Sequence, residues 1–371
     1  MLFTKGLALA CLSSSATGFT SPSFASLNQN NRQAILLPIP STTTATFSTV
    51  SDVYYDAFDI AEDSPRGMTF VLDIWAADHG IQKSNGFKLQ EEDNGREIYA
   101  VTNEDAPAGT PILIVPENLI LSSNKAIAEL RGYGIEEAED DLINMGSDSE
   151  FRQYYLMLKI LQEIQLGKDS AWFFWLDSMP RYFTNSVSMT DFCLLCLPPL
   201  MKKLANDERE NQQRLDLCGD LKYHPRDLVK WAYQIVYTRS IETEDGDLQI
   251  VPMGDYFNHG SEFTEIESEY DDAGNYCAYT SYDVPAGSLL WISYADPRNP
   301  SHLLARYGFL DETCPATYCK LLPPTVNQDM LDLGYAHDRM LFYQSGEVAD
   351  EVSCYLCPDA GTNAVLYQTF N

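Results

Sequence analysis

A chain of 371 residues that is 45% hydrophobic and 12% aromatic can bury a sizeable core, as one large domain or two ordinary ones. Its 54 acidic and 24 basic side chains give a formal net charge of −30, which disfavours binding to nucleic acid or to anionic lipid. The same charge favours a basic partner, or simply keeps the protein soluble.

Residues 1–51 have the composition of a targeting presequence. Lys5 and Arg32 are their only charged residues, and Lys5 precedes an apolar run that is typical of a signal peptide. This run is too short to cross a bilayer, and no later one reaches the roughly 18 residues needed, so we predict no membrane span. The Ser- and Thr-rich remainder is typical of a transit peptide. Residues 16–22 resemble the junction of bipartite presequences for secondary plastids, so we expect a plastid location; a cytoplasmic protein with a low-complexity N-terminus is the alternative.

The first predicted elements downstream are a helix and two strands. Residues 70–80 place apolar side chains at helical spacing and end at a glycine, which predicts a helix with a glycine cap. Residues 98–101 and 111–115 are short β-branched runs separated by an acidic turn at 103–109. This alternation of strand and turn signals is typical of an all-β region.

A helical block follows. Between about residues 122 and 240 the apolar spacing becomes helical, most clearly at 151–164, with Gly167 after it. The polar stretch 206–213 lies between two helical segments and is interpreted as a solvated face or a loop. The β pattern then returns, with candidate strands at 248–251, 277–282 and 288–293.

The order β, helical, β predicts one interrupted domain of mixed α/β (α+β) class, because each β half alone is too small to bury its own face. The predicted parts are a presequence at 1–51, a domain at 66–311 and a short C-terminal segment at 312–371. Within the domain, the β halves are at about 66–121 and 246–311, and the helical insert is at about 122–245. In the C-terminal segment, residues 326–335 have a helical pattern.

Nine cysteines in a chain of this length do not predict a disulfide framework, so reduced thiols are expected. Cys314, Cys319, Cys354 and Cys357 allow a four-cysteine zinc site. The preferred interpretation is that no metal is bound. Residues 193–196 show the same Cys-x-x-Cys spacing in an apolar stretch, where ordinary buried thiols suffice.

Two motifs near the end of the domain point to a family. Residues 251–259 read Val-Pro-Met-Gly-Asp-Tyr-Phe-Asn-His, while 292–294 read Ile-Ser-Tyr and 307–309 read Tyr-Gly-Phe. In this order they resemble the motifs of SET-domain methyltransferases of the Rubisco large-subunit lysine methyltransferase class. The resemblance spans about residues 75–311. It implies a β-rich SET domain with a pseudoknot, interrupted by a large helical insert.

The resemblance also implies an S-adenosylmethionine site. Tyr294 matches the tyrosine that lies beside the departing methyl group and orients the amine, and Tyr307 matches a second tyrosine of the same pocket. Asn258 and His259 match a pair that holds polar groups of the cofactor. Arg239 matches a cofactor-contacting arginine, a suitable partner for a carboxylate. Such a site accelerates methyl transfer mainly by aligning the reactants and excluding water.

Two further positions carry less of the family pattern. Tyr270 lies eleven residues after His259, where the class has a tyrosine that faces the substrate lysine. Gly95 falls in the first cofactor loop, where glycine lets backbone approach the ligand closely. The loop reads Asn94-Gly95-Arg96-Glu97, so Glu97 stands where the class has a second glycine.

The sequence thus predicts a protein-lysine N-methyltransferase that acts on a non-histone, plastid protein presenting a lysine. Two alternatives stay open at this point. A protein-histidine methyltransferase would use the same scaffold. A catalytically silent SET scaffold that binds a protein partner is favoured by Glu97 and by the short C-terminal segment, since the class carries a long helical substrate-binding domain there.

Overall fold

The computed structural model describes residues 58–61, 67–92, 97–131, 136–261, 264–294, 300–311, 318–320, 341–343 and 347, all within one compact unit. The helices are α1 (Met68–Asp78), α2 (Ser123–Leu130), α3 (Glu136–Asn144), α4 (Phe151–Leu166), α5 (Phe173–Asp177), α6 (Asp191–Cys196), α7 (Pro199–Leu215), α8 (Arg226–Arg239) and α9 (Pro300–Tyr307). The strands are β1 (Gln82–Lys83), β2 (Phe87–Glu92), β3 (Glu97–Thr102), β4 (Pro111–Val115), β5 (Leu121–Ser122), β6 (Ile241–Glu242), β7 (Leu248–Ile250), β8 (Asn258–His259), β9 (Ile266–Tyr270), β10 (Tyr276–Thr280), β11 (Trp291–Ile292), β12 (Tyr318–Lys320) and β13 (Leu341–Tyr343).

Strands from before and after the helical block pair with each other. The largest sheet has the antiparallel order β1-β4-β10-β9, so β4 from the first half lies beside β10 from the second. A second sheet has the order β5-β7-β6, and here too β5 precedes the helices and β7 follows them. Because both sheets need strands from both halves, neither half forms them alone. This arrangement confirms the predicted mixed α/β class.

The helical part is held around α4 and α8. Most apolar side chains of α4 are buried, and Tyr154 and Tyr155 pack edge to face with ring centroids 5.6 Å apart. Trp231 on α8 is 1% exposed and donates its indole N–H to the carbonyl of Pro180 at 2.9 Å. Burying each such aromatic side chain stabilises the fold by roughly 1.5–3 kcal/mol.

A buried carboxylate ties the start of the helical block to the strands. Asp247 accepts hydrogen bonds from the hydroxyls of Ser122 and Ser123, each at 2.7 Å, and from the backbone N–H of Asn124 at 2.9 Å. Burial alone would raise the pKa of Asp247, but these hydrogen bonds lower it overall. The same residue precedes β7, so it fixes the N-terminus of α2 against the β5-β7 pair.

The predicted elements are found, most of them with shifted ends. The helix expected at 70–80 is α1, and the strand expected at 111–115 is β4 with the same bounds. Of the two interpretations of 206–213, the solvated face is confirmed and the loop is not, because the stretch lies in the middle of α7 and only Gln212 in it is buried. Of the strand expected at 288–293, β11 pairs with β8, and Leu289 forms only an isolated bridge with Val101. The helix expected at 326–335 lies outside the described residues.

The cysteines also differ from expectation. Cys193 and Cys196 are exposed, not buried. The side chains of the four cysteines considered for zinc lie outside the described residues. Among the residues that are described, no group of three or more His, Cys, Asp or Glu side chains is placed to hold a metal ion.

None of the described helices is long and apolar enough to cross a membrane.

Candidate active site

A cavity of about 740 Å³ lies where the end of α8, the segment 251–258, strand β9 and the residues around Tyr294 meet. Four of the residues predicted from sequence line it, namely Arg239, Asn258, Tyr294 and Tyr307. Further walls come from Ile98, Phe183, Glu242, Ile266, Glu267, Arg306 and Phe309. The cavity therefore combines aromatic walls with a small number of charged and amide groups, as ligand sites commonly do.

A short parallel strand pair brings the two sequence motifs together. β8 pairs with β11, with Asn258 opposite Trp291 and His259 opposite Ile292. Tyr294 lies two residues after the end of β11, and its hydroxyl donates to the carbonyl oxygen of Phe257 at 2.6 Å. The hydrogen bond places the tyrosine ring beside the residues of the first motif.

The turn that leads into β8 is strained. Met253 has φ 70° and is the one non-glycine residue with positive φ in the described ranges. Such a conformation costs roughly 1–3 kcal/mol and persists only where surrounding packing enforces it. Met253 is fully buried, so packing holds the turn and thereby the direction of the Asn258 backbone.

Four rings form an aromatic cluster on one side of the cavity. The ring centroids of Tyr294 and Tyr307 are 4.9 Å apart, and those of His259 and Tyr294 are 5.3 Å apart. Phe309 lies 5.9 Å from His259 and 6.0 Å from Tyr307. Burial raises the pKa of both tyrosine hydroxyls, so each is neutral at physiological pH. The faces of such rings attract cations.

The hydrogen bonds of His259 fix its tautomer. The backbone N–H of Tyr294 donates to Nδ1 at 3.1 Å, so Nδ1 carries no proton. Nε2 therefore carries the proton and donates to the hydroxyl oxygen of Ser261 at 2.9 Å. Burial lowers the pKa of His259, while Asp311, with its carboxylate 3.9 Å from Nε2, partly opposes this. A neutral imidazole thus holds the backbone of the predicted catalytic tyrosine.

Arg239 is held by a buried acid. Its Nη1 donates to Asp255 twice, to the backbone carbonyl and to Oδ2, both at 2.8 Å. The Asp255 side chain is 1% exposed, and Trp175 donates its indole N–H to the same carboxylate at 3.2 Å. Burial raises the pKa of Asp255, and Arg239 opposes the rise. This network orients the guanidinium at the cavity wall.

Contacts of Arg306 and Gly308 hold α9, the helix that ends at Tyr307, against neighbouring segments. Arg306 donates from Nε to the carbonyl of Tyr237 at 2.6 Å and from Nη2 to that of Ser240 at 3.4 Å, which satisfies acceptors at the end of α8. Gly308 has φ 84°, and a Cβ at this position would lie 2.5 Å from the backbone carbon of Thr184. Glycine is required there both by the backbone conformation and by this close approach.

The remaining predicted residues are placed differently. Tyr270 lies on β9, whose other end lines the cavity, but its own ring packs against Tyr276 at 5.8 Å and is not part of the cavity wall. His259 stands behind the wall, in contact with Tyr294. Gly95 lies outside the described residues.

Three further residues that were not predicted as site residues also line the cavity, namely Asp255, Arg306 and Phe309. Asp255 and Phe309 belong to the motifs at 251–259 and 307–309, so a signal for them was present. Arg306 precedes the second motif and carried no signal of its own. Its role depends on the contact between α9 and α8.

The fold resembles that of solved SET-domain structures. A structure described as Rubisco LSMT bound to sinefungin and monomethyllysine is 17% identical in sequence, with 79% of this chain and 70% of that chain covered at a TM-score of 0.61. The SET domain of LSMT bound to lysine and AdoHcy is 18% identical, with the same coverage and TM-score. No family model and no curated protein matches the sequence. The chain has the fold of the LSMT SET domain, which confirms the fold predicted from the motifs.

Proposed function

We propose that the chain is an S-adenosylmethionine-dependent protein-lysine N-methyltransferase. The main support for this proposal is that four residues predicted from the resemblance line one cavity, namely Arg239, Asn258, Tyr294 and Tyr307. The fold supports the proposal, because LSMT structures with this fold were solved with AdoMet and with lysine and AdoHcy.

The residues at the cavity fit such a cofactor. Nε of Arg239 is buried and has no hydrogen-bond partner in the part of the chain that the structure describes, so it offers a donor for a carboxylate. The side chain of Asn258 is exposed and lines the cavity, where an amide both donates and accepts. When bound, S-adenosylmethionine supplies an activated methyl group on a sulfonium.

The chain's own residues orient the acceptor amine and exclude water. The Tyr294 hydroxyl is fixed by the Phe257 carbonyl, so its oxygen points in one direction. The rings of Tyr294, Tyr307 and Phe309 form an apolar, cation-attracting wall. Such a wall admits a lysine ammonium and, by desolvation, lowers its pKa from about 10.4, which favours loss of the proton before attack.

The charge of the protein supports a basic protein substrate. Glu242 and Glu267 line the cavity and are exposed, and the whole chain carries a net charge of −30. Such a field attracts a lysine-bearing segment and speeds its association at low salt. We infer a non-histone substrate in a plastid, because residues 1–51 have the composition of a bipartite presequence.

We expect AdoHcy to stabilise the full chain against unfolding. At about one hundred times its dissociation constant the ligand should add roughly 2.7 kcal/mol to the free energy of unfolding. Thermal denaturation with and without ligand measures the effect. Asn258→Ala should lose most of it, while Lys203→Ala, at an exposed ion pair on α7, should keep it. A folded protein with no shift at millimolar AdoHcy would refute the enzyme and favour the silent scaffold.

The methylated residue is identified by incubating the protein with labelled S-adenosylmethionine and a plastid extract, followed by mass spectrometry of the labelled protein. Label on lysine supports the proposal. Label on histidine would replace it with the histidine methyltransferase that the same scaffold allows.

The location has a separate test. A fluorescent protein fused behind residues 1–51 should enter the plastid of an alga with secondary plastids. Retention in the cytosol would contradict both the proposed plastid location and the proposed plastid substrate. It would not bear on the methyltransferase proposal.

A further inference from the structure

Helix α6 exposes a pair of cysteines that the proposed methylation does not use. The helix buries only Leu194, which is 6% exposed, while Phe192 and Leu195 are 75% and 73% exposed. Cys193 and Cys196 are both exposed on it. Neither cysteine lines the cavity. Exposed thiols at Cys-x-x-Cys spacing differ from structural cysteines, which are normally buried and inert.

The environment of Cys193 favours its thiolate. The hydroxyl of Thr190 donates to Sγ of Cys193 at 3.1 Å, and its oxygen accepts from the backbone N–H of Cys193 at 3.2 Å, which caps the helix. The side-chain hydrogen bond from Thr190 lowers the pKa of the Cys193 thiol. A thiol with a lowered pKa is more extensively ionised at neutral pH and so reacts faster.

The described chain contains contrasting cysteines. Cys218 is fully buried, donates to the carbonyl of Arg214 at 3.1 Å, and has its pKa raised by burial to about 11. Cys277 is 4% exposed. Both are expected to be unreactive. They serve as internal controls for the exposed pair.

The spacing of the exposed pair is close to that of a disulfide. Residues three apart lie on the same side of a helix with Cβ atoms about 5–6 Å apart, and a disulfide needs about 3.5–4.5 Å between its Cβ atoms. Cys196 is the last residue of α6, and Leu197 after it is extended. Closure of the disulfide therefore requires the last helical turn to open and bring the Cβ atoms about 1–2 Å closer together.

We propose that Cys193 and Cys196 form a redox-active dithiol that closes to an intramolecular disulfide by exchange with an external disulfide. The Cys193 thiolate attacks one sulfur of the external disulfide, the sulfur–sulfur bond breaks, and one external thiolate leaves. The Cys196 thiolate then attacks Sγ of Cys193 and displaces the second. The two cysteines lose two electrons and two protons, and the external disulfide is reduced to two thiols.

The test uses the full chain, equilibrated in buffers of reduced and oxidised glutathione, trapped with N-ethylmaleimide and digested with trypsin. Trypsin releases the peptide 182–202, in which Cys193 and Cys196 are the only cysteines. As the oxidised fraction rises, this peptide should become lighter by a pair of hydrogens and carry no adduct, while the Cys218 peptide stays reduced. A Cys196→Ser variant should instead retain glutathione on Cys193. A wild-type peptide that stays fully alkylated, or carries only glutathione, would overturn the proposal.

A second measurement tests the role of Thr190, by the rate at which iodoacetamide alkylates Cys193 in the Cys196→Ser background. Thr190→Asp keeps a helix cap but has no hydroxyl to donate, so alkylation at neutral pH should slow by about threefold for each unit that the thiol pKa rises. Thr190→Ser should restore the rate. Equal rates in all three proteins, or alkylation of Cys193 no faster than that of Cys277, would show that the pair is not activated.

Discussion

Tyr294→Phe is expected to lower kcat by about 100-fold or more while changing KM far less. The substitution keeps the ring, which packs 4.9 Å from Tyr307 and 5.3 Å from His259, and removes only the hydroxyl that donates to Phe257. Loss of that group leaves folding and cofactor binding nearly unchanged but no longer fixes the direction of the incoming amine. A misplacement of about 1 Å in a reacting group can cost about 100-fold in rate.

The matched control is Tyr307→Phe, which removes the hydroxyl from the neighbouring ring. The loss of kcat in this variant should be smaller than in Tyr294→Phe, because the side chain of Tyr307 mainly lines the cavity. Steady-state rates on the substrate found by labelling, with AdoHcy binding measured on both variants, complete the comparison. Near wild-type turnover of Tyr294→Phe would remove the catalytic assignment. The opposite ranking of the two variants would transfer the catalytic role to Tyr307.

The candidate site residues come from two short motifs that the fold brings together, and their roles stay a prediction. Asn258 and His259 lie in one motif and Tyr294 in the other, and the β8-β11 pair brings them together as the resemblance implied. Their order along the chain carried this information. The role of Tyr270 also stays a prediction, since the residues between it and His259 diverge from the family and its ring packs on Tyr276 and does not line the cavity.

Contacts between distant segments were not predictable from the local pattern. Nothing in the sequence near Arg306 indicates that its guanidinium reaches the carbonyls at the end of α8. The polar stretch 206–213 resembles a loop in composition, yet its Glu, Gln and Arg residues have high helix propensity, and Pro199 at the first helical position is a start signal.

The exposure of Cys193 and Cys196 could not be predicted from the sequence, for a different reason. An apolar stretch predicts burial on average, but a helix of six residues that rests on the protein through one side chain exposes the others. In α6 that side chain is Leu194, so the apolar neighbours and both cysteines face solvent. Which side of so short a helix is buried depends on tertiary packing, which periodicity over six residues does not define.

Asp255→Ala is expected to be the most destabilising of the substitutions considered at the site, at about 3–5 kcal/mol, because it leaves a largely buried guanidinium without its partner. The Asp255 and Arg239 side chains are 1% and 17% exposed, and the indole N–H of Trp175 loses its acceptor as well. Urea denaturation at neutral pH measures the change in the free energy of unfolding.

Arg239→Met provides the matched comparison and should cost less. An arginine cannot lose its proton in a protein, whereas the stranded Asp255 carboxyl can take one up. Burial already raises the pKa of Asp255, and removal of Arg239 raises it further. A raised folded-state pKa means that stability is lost as pH rises, so the defect of Arg239→Met should be larger at pH 7 than near pH 5, while that of Asp255→Ala should change little. Equal defects in the two variants at both pH values would show that the pair is not the buried, mutually dependent network that orients Arg239 at the cavity.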